Sequence, residues 1–252
     1  YKKVLKIKNQ TNKETKEINK EAIKQDLITL RRIRDTINVK TLNEALASIE
    51  SGKIDQTNKL AIILNNLKKR NPENFNLIAK IDNKELLLES HCIDSIIENK
   101  QIDLKSTNGK LTGYIGRQKG KGGYGIINYI IYNTDNGPKI GMYKKARAQK
   151  EYIKIGFEEE IQGAPITSSW NNPNIIKVLE TGKDFIIYDT GHNSFNMNEA
   201  FTKLSAQKWL KLYQEQLNGV EAFWENGCFH GDLKGDNLVI YDVNTIDKNG
   251  NK

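Results

Sequence analysis

A carboxylate and an amide stand five residues apart in a polar stretch near the C-terminal end of the sequence. Asp232 and Asn237 lie within FHGDLKGDNLVI at 229–240, which has the pattern of a short turn between a helix and an apolar strand. Phosphoryl transfer needs an acceptor for the nucleophile's proton and an oxygen ligand for the magnesium ion that neutralises the phosphates. Asp232 suits the first task and Asn237 the second. A polar hairpin turn without catalytic function is the alternative interpretation.

A glycine-rich stretch earlier in the chain has the composition of a phosphate-binding loop. Residues 120–127 read GKGGYGII, and the glycines are Gly120, Gly122, Gly123 and Gly125. Glycine has no side chain to block a phosphate, so backbone N–H groups can approach it closely. A Walker A loop is excluded because no Ser or Thr follows Lys121. A Rossmann turn is excluded because Ile127 stands in the strand pattern 126–132 rather than in a helix. A loop between two strands is therefore predicted.

Basic and acidic side chains that could accompany such a loop follow it in the sequence. Asn136-Gly137 is a hairpin signal, and the returning strand ends in two lysines, Lys144 and Lys145. Because side chains alternate along a strand, Met142 and Lys144 share one face while Lys145 lies on the other. A short predicted helix then carries three acidic residues, Glu158, Glu159 and Glu160.

Two further elements are predicted before the polar stretch. Residues 184–191 (DFIIYDTG) have the composition of a strand, which contains Tyr188 and Asp189. From Leu204 to Asn226, large apolar residues recur at intervals of three and four, which predicts a helix directly before the polar stretch.

The motif H-x-D-L-K-x-x-N at residues 230–237 resembles the catalytic loop of protein kinases. The stretch 172–180 likewise resembles the segment that enters their fourth strand. From about residue 113 to 252 the chain is similar to the N-lobe and the first half of the C-lobe of a eukaryotic-like protein kinase. The Lys/Asn-rich background, the G-x-G-G-x-G loop and His-Gly-Asp make it most similar to the bacterial effector kinases of the OspG/NleH type.

This resemblance implies that the loop, together with Ile127, covers ATP. Lys144 would pair with the α- and β-phosphates, with Lys145 as its competitor, and Met142 would lie beneath adenine. Glu160 would hold Lys144, as the family's helix C does. Tyr188 would take the gatekeeper position, and the backbone of residues 189–191, beginning at Asp189, would face adenine.

The resemblance also assigns the polar stretch its roles. Asp232 would be the catalytic base, Lys234 would steady the phosphate in transfer, and Asn237 would bind Mg²⁺. The expected fold is α+β: a bilobal protein-kinase-like domain over 111–252, with an incomplete C-lobe, preceded by a mainly α-helical region over 1–110. The expected function is that of an ATP-dependent Ser/Thr protein kinase that acts on host proteins as a secreted virulence effector in the host cytosol; a cytoplasmic protein is the default otherwise.

Two other functions share these motifs. His-Gly-Asp is frequent in small-molecule phosphotransferases of the aminoglycoside and choline kinase type, but Lys234 favours a protein Ser/Thr kinase. A pseudokinase that serves as a binding module is the third possibility. Gly231 replaces the arginine that pairs with a phosphorylated activation loop in regulated kinases, so that switch is not expected. The sequence reaches Lys252 before any Asp-Phe-Gly, and we expect it to be a fragment of a longer protein.

The N-terminal part of the chain differs in charge and pattern from the rest. Residues 1–110 carry 22 Lys/Arg against 15 Asp/Glu, whereas 111–252 carry 17 against 16. The surplus lies on predicted helices without interleaved aromatic residues, which argues against nucleic-acid binding. An acidic protein partner or membrane surface is the expected target. The alternative is that these helices pack on the N-lobe and brace Glu160.

The helical region itself is predicted from apolar spacing. Helices are expected over 14–37, from a capping box at Thr41 and Glu44 to Gly52, over 56–69 and over 83–98, with a break around Pro72. No apolar run reaches the roughly 18 residues of a membrane span, and the two cysteines lack metal-ligand spacing.

Overall fold

The structure is a computed structural model that describes residues 2–147, 150–190, 195–196, 205–231, 233–234 and 237–240. Its N-terminal part is helical. The helices are α1 (Lys2–Ile33), α2 (Val39–Glu50), α3 (Lys59–Arg70), α4 (Pro72–Lys80), α5 (Lys84–Ser90) and α6 (Cys92–Ile97), and a 3₁₀ turn at Arg34–Thr36 ends α1. All but α1 are short, so packing against neighbours must supply most of their stability.

Asparagine side chains begin four of these helices. Each accepts a hydrogen bond from the backbone N–H three residues later, which satisfies a donor that the helix leaves unpaired. The caps are Asn38, Asn58, Asn71 and Asn83. The Asn-rich composition of the chain therefore has a structural use in its N-terminal half.

Three sequence-based expectations in this region were wrong. The capping box of α2 begins at Asn38, and Thr41 is its third helical residue, because Thr41 Oγ1 accepts from Asn38 N at 2.9 Å. Pro72 begins α4 instead of breaking a helix, since the first helical position needs no N–H donor. His91, in the left-handed conformation at φ 55°, divides the helix expected over 83–98 into α5 and α6.

The second half of the structure is built on a curled antiparallel sheet. Its strands are β1 (Gln101–Ser106), β2 (Gly109–Lys121), β3 (Gly125–Thr134), β4 (Gly137–Ala146), β5 (Val178–Thr181) and β6 (Phe185–Tyr188), in the order β1-β2-β3-β4-β6-β5. A bridge between Ser106 and Gly182 and a 2.8 Å hydrogen bond from Thr107 N to Thr181 O bring the two edge strands together. The sheet is thus a half-barrel, with β1 as a strand that the sequence patterns did not predict.

Two helices and two short strands complete the described structure. Helix α7 (Glu151–Ser169) connects β4 to β5, the two-residue strands β7 (Phe195–Asn196) and β8 (Val239–Ile240) pair with each other, and α8 (Ala206–Glu225) precedes the polar stretch. The predicted α+β class is confirmed: helices and a curled six-stranded sheet give the arrangement of a kinase-like N-lobe. Among the described helices, none has the length and apolar character needed to cross a membrane.

The helices α1–α6 and the sheet share one hydrophobic core. Side chains on one face of the sheet join the buried residues of the helices, namely Tyr114, Tyr129, Ile131 and Ile140. The opposite face lines the inside of the curl with Leu104, Ile130, Tyr132, Tyr143, Phe185 and Ile187. The division of the chain at residue 110 stays a prediction; in the structure, helix gives way to strand between Ile97 and Gln101.

Candidate active site

A lysine and a glutamate form a paired site between β4 and α7. Lys144 Nζ donates to Glu160 Oε1 at 2.5 Å and to Oε2 at 2.7 Å, with the two side chains 18% and 25% exposed. Lys144 is fixed in the sheet because Ile127 lies opposite it on β3 and Ile186 opposite it on β6. A charge-assisted pair with both carboxylate oxygens engaged holds the ammonium group in one place. Lys145, its neighbour, is exposed.

Of the three adjacent glutamates of α7, only Glu160 lies near the side of the helix that faces the sheet and Lys144. Ile153 and Phe157 are buried on the side of the helix that faces the sheet, where Phe157 packs with Met142, Ile186 and Tyr188. Glu160 lies three residues after Phe157 and so falls near the same face. Glu158 and Glu159 point to solvent. The helix was expected to be short, but it has 19 residues, because its apolar positions continue through Ile161 and Ala164.

A buried tyrosine supports the glutamate. Tyr188 Oη donates to Glu160 Oε1 at 2.7 Å, and Tyr188 lies opposite Met142 in the pairing of β4 with β6. Burial raises the pKa of Tyr188 well above its usual range, and the charge of Glu160 together with this hydrogen bond raises it further. The hydroxyl therefore stays protonated and acts as a donor. Sequence reasoning placed Tyr188 beside the adenine site but missed this bond.

The glycine-rich turn lies directly over the lysine. Gly122 N donates to Gly125 O at 2.9 Å, which closes the turn between β2 and β3. A Cβ atom at Gly125 would lie 2.7 Å from Lys144 Cε, so a side chain there would displace the side chain of Lys144. Gly120 and Gly123 have open space around the position of a Cβ atom. At these two positions no side chain stands between the turn and an incoming group.

The tip of this turn rests on α7. A Cβ atom at Gly156 would lie 2.7 Å from the ring of Tyr124, so the aromatic ring packs directly on the helix backbone. Tyr124 O also accepts from Arg147 N at 2.8 Å, at the end of β4. The turn therefore contacts the helix that carries Glu160. The sequence analysis did not predict this contact; a glycine just before the three glutamates is the sequence signal that could have indicated it.

The strand end after Tyr188 is held by its neighbours. Asp189 N donates to Lys177 O at 2.8 Å, and Asp189 Oδ1 accepts from Thr190 N at 2.9 Å. Gly191, the third residue assigned to the adenine-facing backbone, lies outside the described residues. The role of this segment stays a prediction.

The polar stretch is described in part. Asp232 lies outside the described residues, so its role as the base stays a prediction. Asn237 N donates to Lys234 O at 2.9 Å, which makes this end of the stretch a turn. Gly231 has φ 74°, a conformation that an arginine would adopt only with strain. In the described part of the chain, no three His, Cys, Asp or Glu side chains gather as a metal site, and the assignment of Asn237 to Mg²⁺ likewise stays a prediction.

Aromatic rings connect α7, α8 and the polar stretch. Phe223 of α8 makes edge-on contacts with Trp170, at the end of α7, and with His230, with ring centroids 5.1 and 5.3 Å apart. The segment after α7 also reaches α8, because a Cβ atom at Gly219 would lie 3.3 Å from Asn174 O. The helix that carries Glu160 is thus in contact, through Phe223 of α8, with His230.

Comparison with known proteins finds distant relatives among protein kinases. No protein-family model matches the chain. It is 24% identical over 133 residues to the CBL-interacting serine/threonine-protein kinase 26 of Arabidopsis thaliana, covering 50% of this chain and 30% of the relative. The CBL-interacting protein kinase 28 of Oryza sativa subsp. japonica is 25% identical over 139 residues, 52% of this chain and 31% of the relative.

A yeast protein extends the comparison beyond plants. The CTD kinase subunit alpha of Saccharomyces cerevisiae is 28% identical over 132 residues, which are 49% of this chain and 24% of the relative. The chain thus spans about a third or less of the length of these curated relatives. Together with the curled sheet and the Lys144–Glu160 pair, these similarities relate the chain to the protein kinase superfamily.

Proposed function

We propose that the chain carries the nucleotide site of an ATP-dependent Ser/Thr protein kinase, with Asp232 as the catalytic base. The observation that carries this proposal is the Lys144–Glu160 pair beneath the glycine turn. A cation held by both oxygens of a carboxylate, next to a turn with open backbone, suits the binding of a polyphosphate. The names of the relatives, all of them protein kinases, support a phosphotransferase.

The residues present fit ATP. Lys144 would bind the α- and β-phosphates, and the N–H groups of the turn would approach them where Gly120 and Gly123 leave space. The backbone after Tyr188 would bind adenine, and Asn237 would offer Mg²⁺ an amide oxygen. Bound MgATP supplies the phosphoryl group and the positive charge that neutralises it during transfer.

Each side chain has a separate task in this proposal. Tyr188 holds Glu160 through its hydroxyl, and Glu160 holds the ammonium group of Lys144 in place for the phosphates. Asp232 would accept the proton of the attacking Ser or Thr hydroxyl. Lys234 would steady the phosphate in transfer. The catalytic effect would come mainly from position and charge, as is general for phosphoryl transfer.

The cellular setting that we propose follows from the resemblance of the motifs to the OspG/NleH type. The protein would be secreted by a bacterium into the host cell cytosol and would phosphorylate host proteins there. The basic helices α1–α6 would add a contact with an acidic protein partner or membrane surface, which salt would weaken. Phosphorylation of host-cell lysate proteins, with and without the protein, would test this setting.

The decisive experiment on the activity compares the protein with its Asp232→Asn variant. Transfer of labelled phosphate from MgATP to a generic protein substrate or to the protein itself should fall by about 10³-fold, in the range for loss of a general base. The melting temperature should change little, since Asn is nearly isosteric with Asp. Retained transfer in the variant would remove Asp232 from its role. Transfer only to aminoglycosides or choline, or MgATP binding without transfer, would favour the two alternative functions.

A further inference from the structure

Helices α5 and α6 hold β2 along the residues that lead into the glycine turn. Ser95 Oγ donates to Ile115 O at 2.5 Å. At the next residue, a Cβ atom on Gly116 would lie 2.7 Å from Cys92 Sγ, so no side chain fits between the strand and the helices. The helical region is thus in direct contact with the strand that enters the turn, a few residues before Gly120.

Glu89, near the C-terminal end of α5, accepts hydrogen bonds from side chains of both strands that flank the glycine turn. Its Oε1 accepts from Arg117 Nη2 and Lys119 Nζ of β2, both at 3.2 Å, and from Tyr129 Oη of β3 at 2.5 Å. Arg117 Nε also donates to the backbone O of Glu89 at 2.7 Å. One carboxylate therefore ties the incoming and the outgoing strand to the same helix.

This group of contacts is more enclosed than a surface ion pair. The side chain of Glu89 is 14% exposed, and both Arg117 and Lys119 lie over the ring of Tyr129, with 5.7 Å between the cation and the ring centroid. Partial burial strengthens the attraction between the charges, and the ring adds a cation–π contribution. The geometry is therefore stiffer than single exposed pairs provide.

The strand needs such a support because its pairing is irregular at this point. The register between β2 and β3 shifts between Ile115 and Gln118 and again between Gln118 and Gly120. Tyr114 packs among the helices, and Arg117, three residues on, reaches the same side, which regular alternation would forbid. A bulge of this kind changes the direction of a strand. Here it sets the direction in which the glycine turn leaves the sheet.

We propose that Glu89 is a positioning residue that fixes the glycine turn over Lys144 and thereby sets nucleotide affinity. The proposal rests on the ATP site proposed above. It also gives the helical region a role in the active site that differs from a brace on Glu160, because the contacts reach the phosphate loop through β2 and β3. Glu89 itself contacts no substrate in this account.

The test uses Glu89→Gln in the full chain. Glutamine keeps an oxygen for the hydroxyl of Tyr129 but has no charge for Arg117 and Lys119. Two quantities are measured: hydrogen exchange of the amides at 118–125 in the nucleotide-free protein, and the Kd for MgATP. We expect exchange about tenfold faster and a Kd about tenfold higher, equivalent to the loss of one charge-assisted contact.

Asp94→Asn is the matched control. Asp94 lies on α6 and pairs with Arg34 at 2.7 Å, so its loss weakens a contact between helices without touching β2. Exchange at 118–125 and the Kd should stay within about twofold of the wild type in this variant. Equal acceleration of exchange in both variants, or none in Glu89→Gln, would overturn the proposal.

A second variant and the exchange measurement make the test decisive when Glu89→Gln does not fold or when MgATP does not bind. If Glu89→Gln does not fold, Arg117→Met removes one partner from the exposed side of the same contact, and the same increase in exchange is expected. If the wild-type protein binds no MgATP, the proposed ATP site fails, whereas the exchange comparison still supports or overturns the positioning role of Glu89.

Discussion

At the scale of single residues, Tyr188 connects the Lys144–Glu160 pair to the buried core. Its ring packs with Met142 and Phe157, while its hydroxyl donates to Glu160. The carboxylate thus has a cation on one side and a neutral donor on the other. Such a shared arrangement would let Glu160 keep its orientation if Lys144 contacts phosphate groups as proposed.

Replacement of Tyr188 by Phe should destabilise the protein and leave its ring packing intact. We expect the free energy of unfolding to fall by about 1.5–3 kcal/mol at pH 8, the usual value of a hydrogen bond to a charged group. Urea unfolding of both proteins measures this difference. A loss of less than about 0.5 kcal/mol would mean that the bond to Glu160 does not hold the site.

The pH dependence of the same variant has a defined sign. Burial raises the pKa of Tyr188 in the folded state above the value of about 10 in the unfolded chain. As pH rises through about 10, the unfolded state therefore loses its proton first, and this tyrosine's contribution to stability declines. The stability difference between wild type and Tyr188→Phe should shrink from pH 8 to pH 11. A constant or growing difference would contradict the raised pKa.

The positions and contacts of the site residues could be predicted from the sequence to different extents. Strand alternation after a hairpin signal places Lys144 and Lys145 on opposite faces, because the period of two is insensitive to the rest of the fold. The resemblance to protein kinases then favoured Lys144. Glu160 could only be chosen from three neighbours, since the helix phase depends on which side meets the sheet. The bonds of Tyr188 and Glu89 depend on tertiary contacts between distant segments, and no local pattern carries that information.

At the scale of elements, α7 offers an internal comparison between two glycines. Gly156 lies under the ring of Tyr124, whereas a Cβ atom at Gly163 would have nothing within 4 Å. Alanine in place of a helical glycine normally stabilises by about 0.5–1 kcal/mol. At residue 156 the contact with the Tyr124 ring should cancel this gain in stability, whereas at residue 163 the gain should remain.

We expect Gly163→Ala to raise the melting temperature and Gly156→Ala to leave it unchanged or lower it. The added methyl group at residue 156 must displace the Tyr124 ring, which lies 2.7 Å away. In a Tyr124→Ala background, Gly156→Ala should stabilise as much as Gly163→Ala does. Thermal melts of the three variants and the double variant measure this, and equal gains from both glycines in the wild-type background would show that Tyr124 does not rest on α7.

Sequence patterns were sufficient to predict some boundaries of helices and strands but not others. Glycine and Asn-Gly signals located the turns around β3 and β4, because those turns require positive φ or close backbone approach. The patterns missed α4 and β1. Proline at the start of a helix looks like a helix break in sequence, and β1 is an edge strand with few apolar residues, whose place is set by its pairing with β2.

At the scale of the whole molecule, the helical region and the sheet fold as one unit in this account. Removal of residues 1–97 would expose four core side chains of the sheet, Tyr114, Tyr129, Ile131 and Ile140. Each contributes about 1.5–3 kcal/mol when buried, so their exposure would remove stabilisation comparable to the whole free energy of unfolding of an ordinary domain. The partner-binding role proposed for the helices therefore coexists with a structural one.

Truncated proteins test whether the helical region and the sheet fold as one unit. The protein without residues 1–97 should aggregate or melt without cooperativity, whereas removal of residues 1–20 should leave the melt nearly unchanged, since the buried core residues that the structure describes begin at Leu27. Calorimetry or circular dichroism of both truncated proteins measures the difference. A soluble 98–252 protein with a cooperative transition would show that the helices are a separate module.

The central claim is that Lys144, and not its neighbour, faces a nucleotide beneath the glycine turn. Binding of MgATP by isothermal titration calorimetry on the wild type, Lys144→Ala and Lys145→Ala tests it most directly. We predict a Kd at least about tenfold higher for Lys144→Ala, from the loss of one charge-assisted phosphate contact, and a change within about twofold for Lys145→Ala. Equal and small effects in both variants, or the larger effect at Lys145, would contradict the account.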